Sequence, residues 1–184
     1  SINKGCPILG MTESFTKIGL GTIGPIPLPI IYFIILTIIF WFIIKYTFFG
    51  RNIYAIGGNE LAARISGIKV NIYKVLYFVL CSFCASFSGI VLSSRLNTGS
   101  PVLGDATPLI VIAAVVLGGT SLAGGVGTIR GTILGILIIG CIENGMNLLN
   151  IWSYYQIIIK GSILIVVVLI DAYYVKRRSI NKID

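Results

Sequence analysis

Residues 26–44 read IPLPIIYFIILTIIFWFII, 19 positions without a charged side chain. A helix needs about 20 mostly apolar residues to cross the hydrocarbon core of a bilayer, and its backbone must satisfy its own hydrogen bonds there. This stretch meets both demands. It ends in Phe40, Trp41 and Phe42 beside Lys45 and Tyr46, the residue types that settle where a span meets the headgroups. Outward from it, Val75 to Ser94 is uncharged for 20 positions and Ala106 to Ile129 for 24. Gly118, Gly119, Gly124, Gly125 and Gly127 make the second half of that third stretch a poor helix, so the span is expected to end near Gly118. A fourth span, about 128–148, is bounded by Arg130 and interrupted by Glu143, and a fifth, about 154–173, contains Lys160. The expected fold class is all-α, a polytopic membrane bundle of about five transmembrane spans.

Composition agrees. The chain has 184 residues with 14 Lys plus Arg, 6 Asp plus Glu and no His, a net charge of +8, with 11% of positions charged. A soluble domain carries about a quarter. Without imidazole or a dense acidic cluster, most hydrolytic and metal sites cannot be built. The basic residues are separated by long uncharged stretches and do not interleave with aromatics, which argues against nucleic acid as a partner and for the lipid bilayer.

Basic residues in short loops set orientation. With five crossings, Lys45, Arg51, Arg64, Lys69 and Lys74 share one side with Lys176, Arg177, Arg178, Lys182 and Arg130, leaving Lys4, Lys17, Arg95 and Lys160 opposite. The expected organisation is an external, periplasmic segment 1–28, a transmembrane region 29–174 with a cytoplasmic coupling loop 47–74, and a cytoplasmic tail 175–184. Segment 1–28 reads as a turn-rich loop. It starts with Ser and holds no basic region followed by an apolar run, so it is not a signal peptide. A chain that starts outside with no exporting segment is expected to be the C-terminal part of a longer protein.

Gly19, Gly21 and Gly24 match the spacing of a dinucleotide loop, but Pro25, Pro27 and Pro29 follow where a helix N-terminus would have to cradle phosphate. Gly118-Gly119-Thr120-Ser121-Leu122-Ala123-Gly124-Gly125 lacks the Lys of a phosphate loop. It reads either as a turn between spans or as non-helical backbone at a functional depth, lining a cavity. Gly127, Gly131 and Gly135, and likewise Cys81, Ala85 and Gly89, put small residues on one helix face and read as packing seams. Cys81 and Cys84 read as small apolar residues, and Cys6 and Cys141 stand alone, so no metal or disulfide framework is expected. Glu143 and Lys160 fall at similar depth in their spans. They are expected either to pair, flanked by Asn144 and Asn147, or to snorkel outward separately.

The coupling loop is the most informative segment. Gly57-Gly58 break the chain, Asn59 can cap a helix, Glu60 suits its first turn and Gly67 can close it. Leu61, Ile65 and Ile68 then share one apolar edge beside Arg64. So short a helix is not stable alone, so it must dock on the membrane surface or on a soluble partner.

Gly57-Gly58-Asn59-Glu60 with Ala62-Ala63 and Ser66-Gly67-Ile68 is one of four matching tracts. The others are Ala113 to Gly125, Asn144-Gly145 with Asn147-Leu148-Leu149, and Ser153-Tyr154-Tyr155-Gln156 before Lys160. Together they resemble the permease subunits of bacterial ABC importers for monosaccharides, nearest the ribose branch. The resemblance implies a homodimer of permeases in the bacterial inner membrane, a separate ATP-binding subunit that holds ATP and Mg, and a periplasmic sugar-binding protein. This chain would bind no cofactor and carry no catalytic residue. Asn59, Glu60, Leu61, Ala62, Ala63, Arg64, Ile65, Ser66 and Gly67 would contact the ATPase. Gly118, Gly119, Thr120, Ser121, Gly124, Gly125, Asn144 and Asn147 are candidates for the translocation path or its gate. Alternating access would follow from motion passed through Tyr46 and Val75 to their spans.

Three departures stand out. Glu60 is displaced by one from the usual Glu-Ala-Ala register, Glu143 stands where an uncharged amide is expected, and the family's N-terminal half has no counterpart. Two rival readings are a non-transporting remnant or assembly element and an intramembrane enzyme, the latter lacking His and paired carboxylates.

Overall fold

The computed structural model describes residues 8–10, 12–100, 104 and 107–180. Lys4, Cys6 and Lys182 lie outside them, as do parts of the expected 1–28 and 175–184 segments. The described residues of Ser1–Phe49 and Lys69–Asp105 form one compact unit, and those of Gly50–Ile68 and Ala106–Asp184 a second.

In the first unit, α1 (Glu13–Leu20) precedes α2 (Leu28–Tyr46), and α5 (Val70–Leu96) returns after the excursion into the second unit. Segment 1–28, read from sequence as turn-rich, therefore carries a helix. Eight residues do not hold a helix alone, and α1 is held by α5. A Cβ at Gly19 would lie 2.5 Å from the Arg95 backbone nitrogen and 2.8 Å from the Val91 carbonyl, so only glycine permits this approach. Ser94, fully buried, accepts a hydrogen bond from the Gly19 N–H at 2.7 Å and donates one to the Phe15 carbonyl at 2.6 Å. Gly21 ends α1, and Gly24, at φ +61°, turns a two-residue hairpin between Thr22–Ile23 and Ile26–Pro27. The three glycines with dinucleotide-loop spacing thus serve a helix contact, a helix end and a turn. A second pair of short strands joins Ile8–Leu9 to Thr98–Gly99.

Proline is tolerated in the first turn of a helix, and α2 starts this way at Leu28 and Pro29. At its other end Lys45 lies over the rings of Trp41 and Tyr46, at 4.8 and 5.2 Å from the centroids. α5, at 27 residues, begins five residues before the expected span. Its Cys81 and Ala85 are exposed and Gly89 has open space beside it, so among the described residues nothing packs closely against the face expected to be a seam. The close approach on α5 is made instead at Val91–Arg95, under α1.

The second unit contains α3 (Phe48–Gly58), α4 (Glu60–Ile65), α6 (Thr107–Leu117), α7 (Ile129–Leu148) and α8 (Ser153–Ile180). The helix α3 was not anticipated within the coupling loop. α6 packs against both α7 and α8. Here the expected glycine seam forms: a Cβ on Gly131 would collide with the Gly118 carbonyl, and one on Gly135 with that of Ala114. In lipid, where apolar side chains gain little by leaving their neighbours, such close backbone approach is what joins helices.

α2, α5, α7 and the Ser153–Tyr173 part of α8 are long and apolar enough to cross a membrane. The eleven-residue α6 rises about 16 Å, roughly half the hydrocarbon thickness. The expected third crossing is therefore helical over only about half its depth.

Replacing Ser94 with Ala removes the group that satisfies both Gly19 and Phe15. We expect a loss of about 1–3 kcal/mol and faster amide exchange confined to α1, read by hydrogen exchange in nanodiscs. Unchanged protection of α1 would show that Ser94 does not hold it.

Candidate functional site

The helix α4 is built from its caps. Asn59 adopts extended backbone angles and its side-chain oxygen accepts from the Ala62 N–H at 2.9 Å. Glu60 pairs with Arg64 one turn on, at 3.1 Å. At the far end Gly67, at φ +84°, donates to the Arg64 carbonyl and Ile68 donates to that of Ala63, both at 3.1 Å, a Schellman closure. Ala63 is buried, whereas Leu61 and Ile65 are 68% and 79% exposed. Ala62 and Ser66 are also exposed. A rigid six-residue helix thus presents an apolar edge outward.

The end of α3, from which α4 starts, rests on the glycine-rich turn after α6. Gly119, at φ +86°, closes α6, its N–H donating to Val116 and that of Thr120 to Val115. The Ser121 N–H donates to Val126 and the Gly124 N–H to Ser121, so the turn is internally bonded. A Cβ at Gly57 would sit 2.5 Å from the Gly125 nitrogen, and one at Gly124 2.6 Å from the Gly57 carbonyl oxygen. Backbone therefore touches backbone. The Tyr54 hydroxyl, one turn earlier on α3, donates to the Gly127 carbonyl at 2.8 Å. Thr128 caps α7 by accepting from the Gly131 N–H at 3.1 Å.

Asp171 on α8 closes the arrangement, accepting from the Leu122 N–H at 3.0 Å and from the Ser121 hydroxyl at 3.4 Å. Beside it Val116, Gly119, Ser121, Val167, Asp171 and Val175 line a cavity of about 320 Å³. The end of α3 that leads into α4, the 118–127 turn, the start of α7 and the later part of α8 accordingly share one end of the second unit.

The other end carries the remaining candidates. Lys160 Nζ lies 2.6 Å from Glu143 Oε1, both side chains partly shielded. Gln156 donates from its amide nitrogen to Asn147 Oδ1 at 3.0 Å and to the Ile151 carbonyl at 2.9 Å. Asn150, at φ +52°, closes α7, and Asn144 is exposed nearby on α7. Glu143 is about 18 Å beyond Gly131 along the helix. The residues grouped from sequence as path or gate therefore fall into two clusters: Gly118, Gly119, Thr120, Ser121, Gly124 and Gly125 at one end, Asn144 and Asn147 at the other.

Sequence reasoning missed Tyr54 and Asp171, and named Gln156 only within a matching tract. Asp171 had a signal, as a carboxylate inside an apolar span. Among the described residues no three His, Cys, Asp or Glu side chains gather as a metal site would need, and Cys81, Cys84 and Cys141 are free thiols.

Residues 6–168 match the family described as branched-chain amino acid transport system / permease component. The ribose import permease protein of Bacillus subtilis is 47% identical over 169 residues, covering 91% of this chain and 52% of the relative. The ribose import permease protein of Escherichia coli K12 is 45% identical over 172 residues, 91% of this chain and 54% of the relative. The L-arabinose transport system permease protein of the same strain is 44% identical over 166 residues, 90% of this chain and 51% of the relative. The chain thus spans about half the length of these relatives. No solved structure matches.

For the Glu143–Lys160 pair, Glu143→Gln and Lys160→Met should each cost about 1–3 kcal/mol, because either leaves the other group without its counter-charge. The double substitution should cost clearly less than the sum in thermal unfolding on nanodiscs. Strict additivity would mean that the two side chains act independently.

Proposed function

The chain belongs to the branched-chain amino acid transport system / permease component family, and on that premise we propose that it is the membrane-spanning part of an ATP-driven sugar importer. Its relatives' names specify ribose and L-arabinose, two pentoses, and the ordered tracts from Gly57 to Lys160 favour ribose. The chain contributes helices to the translocation path. ATP and Mg are bound by a separate subunit, a second permease copy completes the path, and a periplasmic sugar-binding protein delivers the sugar.

The observation that carries this reading is α4. Its two capped ends and its internal ion pair hold a helix too short to persist by propensity, and the side chains left outward, Leu61 and Ile65, are apolar. That is the form of an anchor for a groove on a soluble protein. Residues 59–67 are the ATPase-docking element, with Glu60 paired to Arg64 on the exposed face of the helix.

Orientation follows from charge. Arg130 begins α7 at the end of the second unit that holds α4, and the basic cluster Lys176, Arg177 and Arg178 follows Asp171 on α8. The excess of Lys and Arg supports a cytoplasmic position for that end and for the C-terminus of a multi-pass inner-membrane protein. The Glu143–Lys160 end is then periplasmic. ATP-driven closure of the partner displaces α4, and the path opens alternately to the two sides.

Co-purification with the ATP-binding subunit tests the docking. The unsubstituted chain should retain it. Leu61→Glu should reduce the retained amount by about tenfold or more, since an unpaired carboxylate in an apolar groove is costly. Gly67→Asp should act in the same direction by straining the left-handed closure, while Arg95→Gln should change nothing. Failure of the unsubstituted chain to retain the subunit sinks the proposal.

A further inference from the structure

We propose that the contact of Gly57 and Gly58 with Gly124 and Gly125, locked by Tyr54 and Asp171, is the joint through which displacement of α4 reaches α6, α7 and α8. The proposal deepens the docking reading above and rests on it. It replaces the route expected from chain connectivity, through Tyr46 and Val75, with one through space inside the second unit.

The first argument is stiffness. With a Cβ excluded at Gly57 and Gly124, and one at Gly125 only 2.8 Å from the Gly58 Cα, no side chain separates the two backbones. A shift of one cannot be absorbed by a rotamer change, because close-packed atoms transmit displacement rather than yield to it. The second argument is attachment at two points. Tyr54 bonds to Gly127 one helical turn before Gly57, so α3 bears on the turn at two points, Gly124–Gly125 and Gly127, and cannot swivel about a single contact. The third is continuity with α4. Asn59 donates its N–H to the Ala55 carbonyl of α3 while its own carbonyl accepts from Ala63 of α4, so both helices are bonded through one residue and move together.

The receiving side is equally fixed. Gly119 closes α6 at the start of the turn, Thr128 caps α7 at its end, and Asp171 ties its middle to α8. Three helices therefore meet at the segment that α3 presses upon. A neutral amide in place of Asp171 keeps an acceptor but loses the charge that strengthens the bond to the Leu122 N–H. Tyr54 and Asp171 act here as positioning residues, through the Gly127 carbonyl and the Leu122 N–H of the turn.

Amide exchange on the chain in nanodiscs reads the joint directly. Tyr54→Phe, and more so Tyr54→Phe with Asp171→Asn, should speed exchange at 122–128 by about tenfold, the scale of one lost hydrogen bond, and leave the 149–152 turn unchanged. Unaltered exchange at 122–128 overturns the proposal. In the complex with the ATP-binding subunit, nucleotide should alter exchange over 118–135, and Tyr54→Phe should abolish that response while the subunit still co-purifies. A response that survives in the variant also overturns it. If the unsubstituted chain retains no ATPase, the docking reading fails by itself, and exchange at 122–128 in the chain alone still decides whether the joint exists.

Discussion

Close approach of backbone to backbone, possible only at glycine, is the constraint on which both units depend. Helices in lipid gain little from burying apolar side chains against one another, because the surrounding tails are equally apolar. What remains is dispersion and polar contact at short range, and where backbone is to meet backbone both require the side chain to be absent. Gly19 against α5, Gly131 and Gly135 against α6, and Gly57 against Gly125 are four uses of that one device. Each brings polar backbone into reach: Ser94 could not satisfy Gly19 and Phe15 if α1 stood off by a methyl group, nor could Tyr54 reach the Gly127 carbonyl from a more distant α3.

The second unit is organised along its length. One end gathers α4, the glycine turn and Asp171, bonded mainly through backbone groups. The opposite end is bonded through side chains, with Glu143 to Lys160 and Asn147 to Gln156. Transport by alternating access requires that an event at one end be felt at the other, and α7 and α8 run continuously between them. The proposed backbone joint at the α4 end suits the transmission of force, while a side-chain network at the other can break and re-form without unfolding a helix.

Local structure was legible wherever its determinants lie close in sequence. Asn59, Glu60 and Gly67 announce α4 because capping acts over three to five residues. The long spans follow from uncharged runs, and the matching depths of Glu143 and Lys160 could be counted. Contacts between distant segments were not legible. Tyr54 and Gly127 are 73 residues apart, and Asp171 and Leu122 are 49 apart. The helix α1 escaped notice because Gly19 lowers its propensity and its stability comes from α5. The stripe of Cys81, Ala85 and Gly89 has the spacing of a packing seam, yet α5 is engaged instead at Val91–Arg95. Spacing identifies a face that could be approached but does not name what approaches it.

The central proposal is that this chain forms part of a path that carries sugar across a membrane under the control of a docked ATPase. Uptake of labelled ribose into proteoliposomes containing the chain and its ATP-binding subunit, with the sugar-binding protein outside, is the direct measurement. The account predicts accumulation that needs ATP on the subunit's side and disappears with Leu61→Glu. Absence of ATP-dependent uptake by folded chain that holds its ATPase would contradict it.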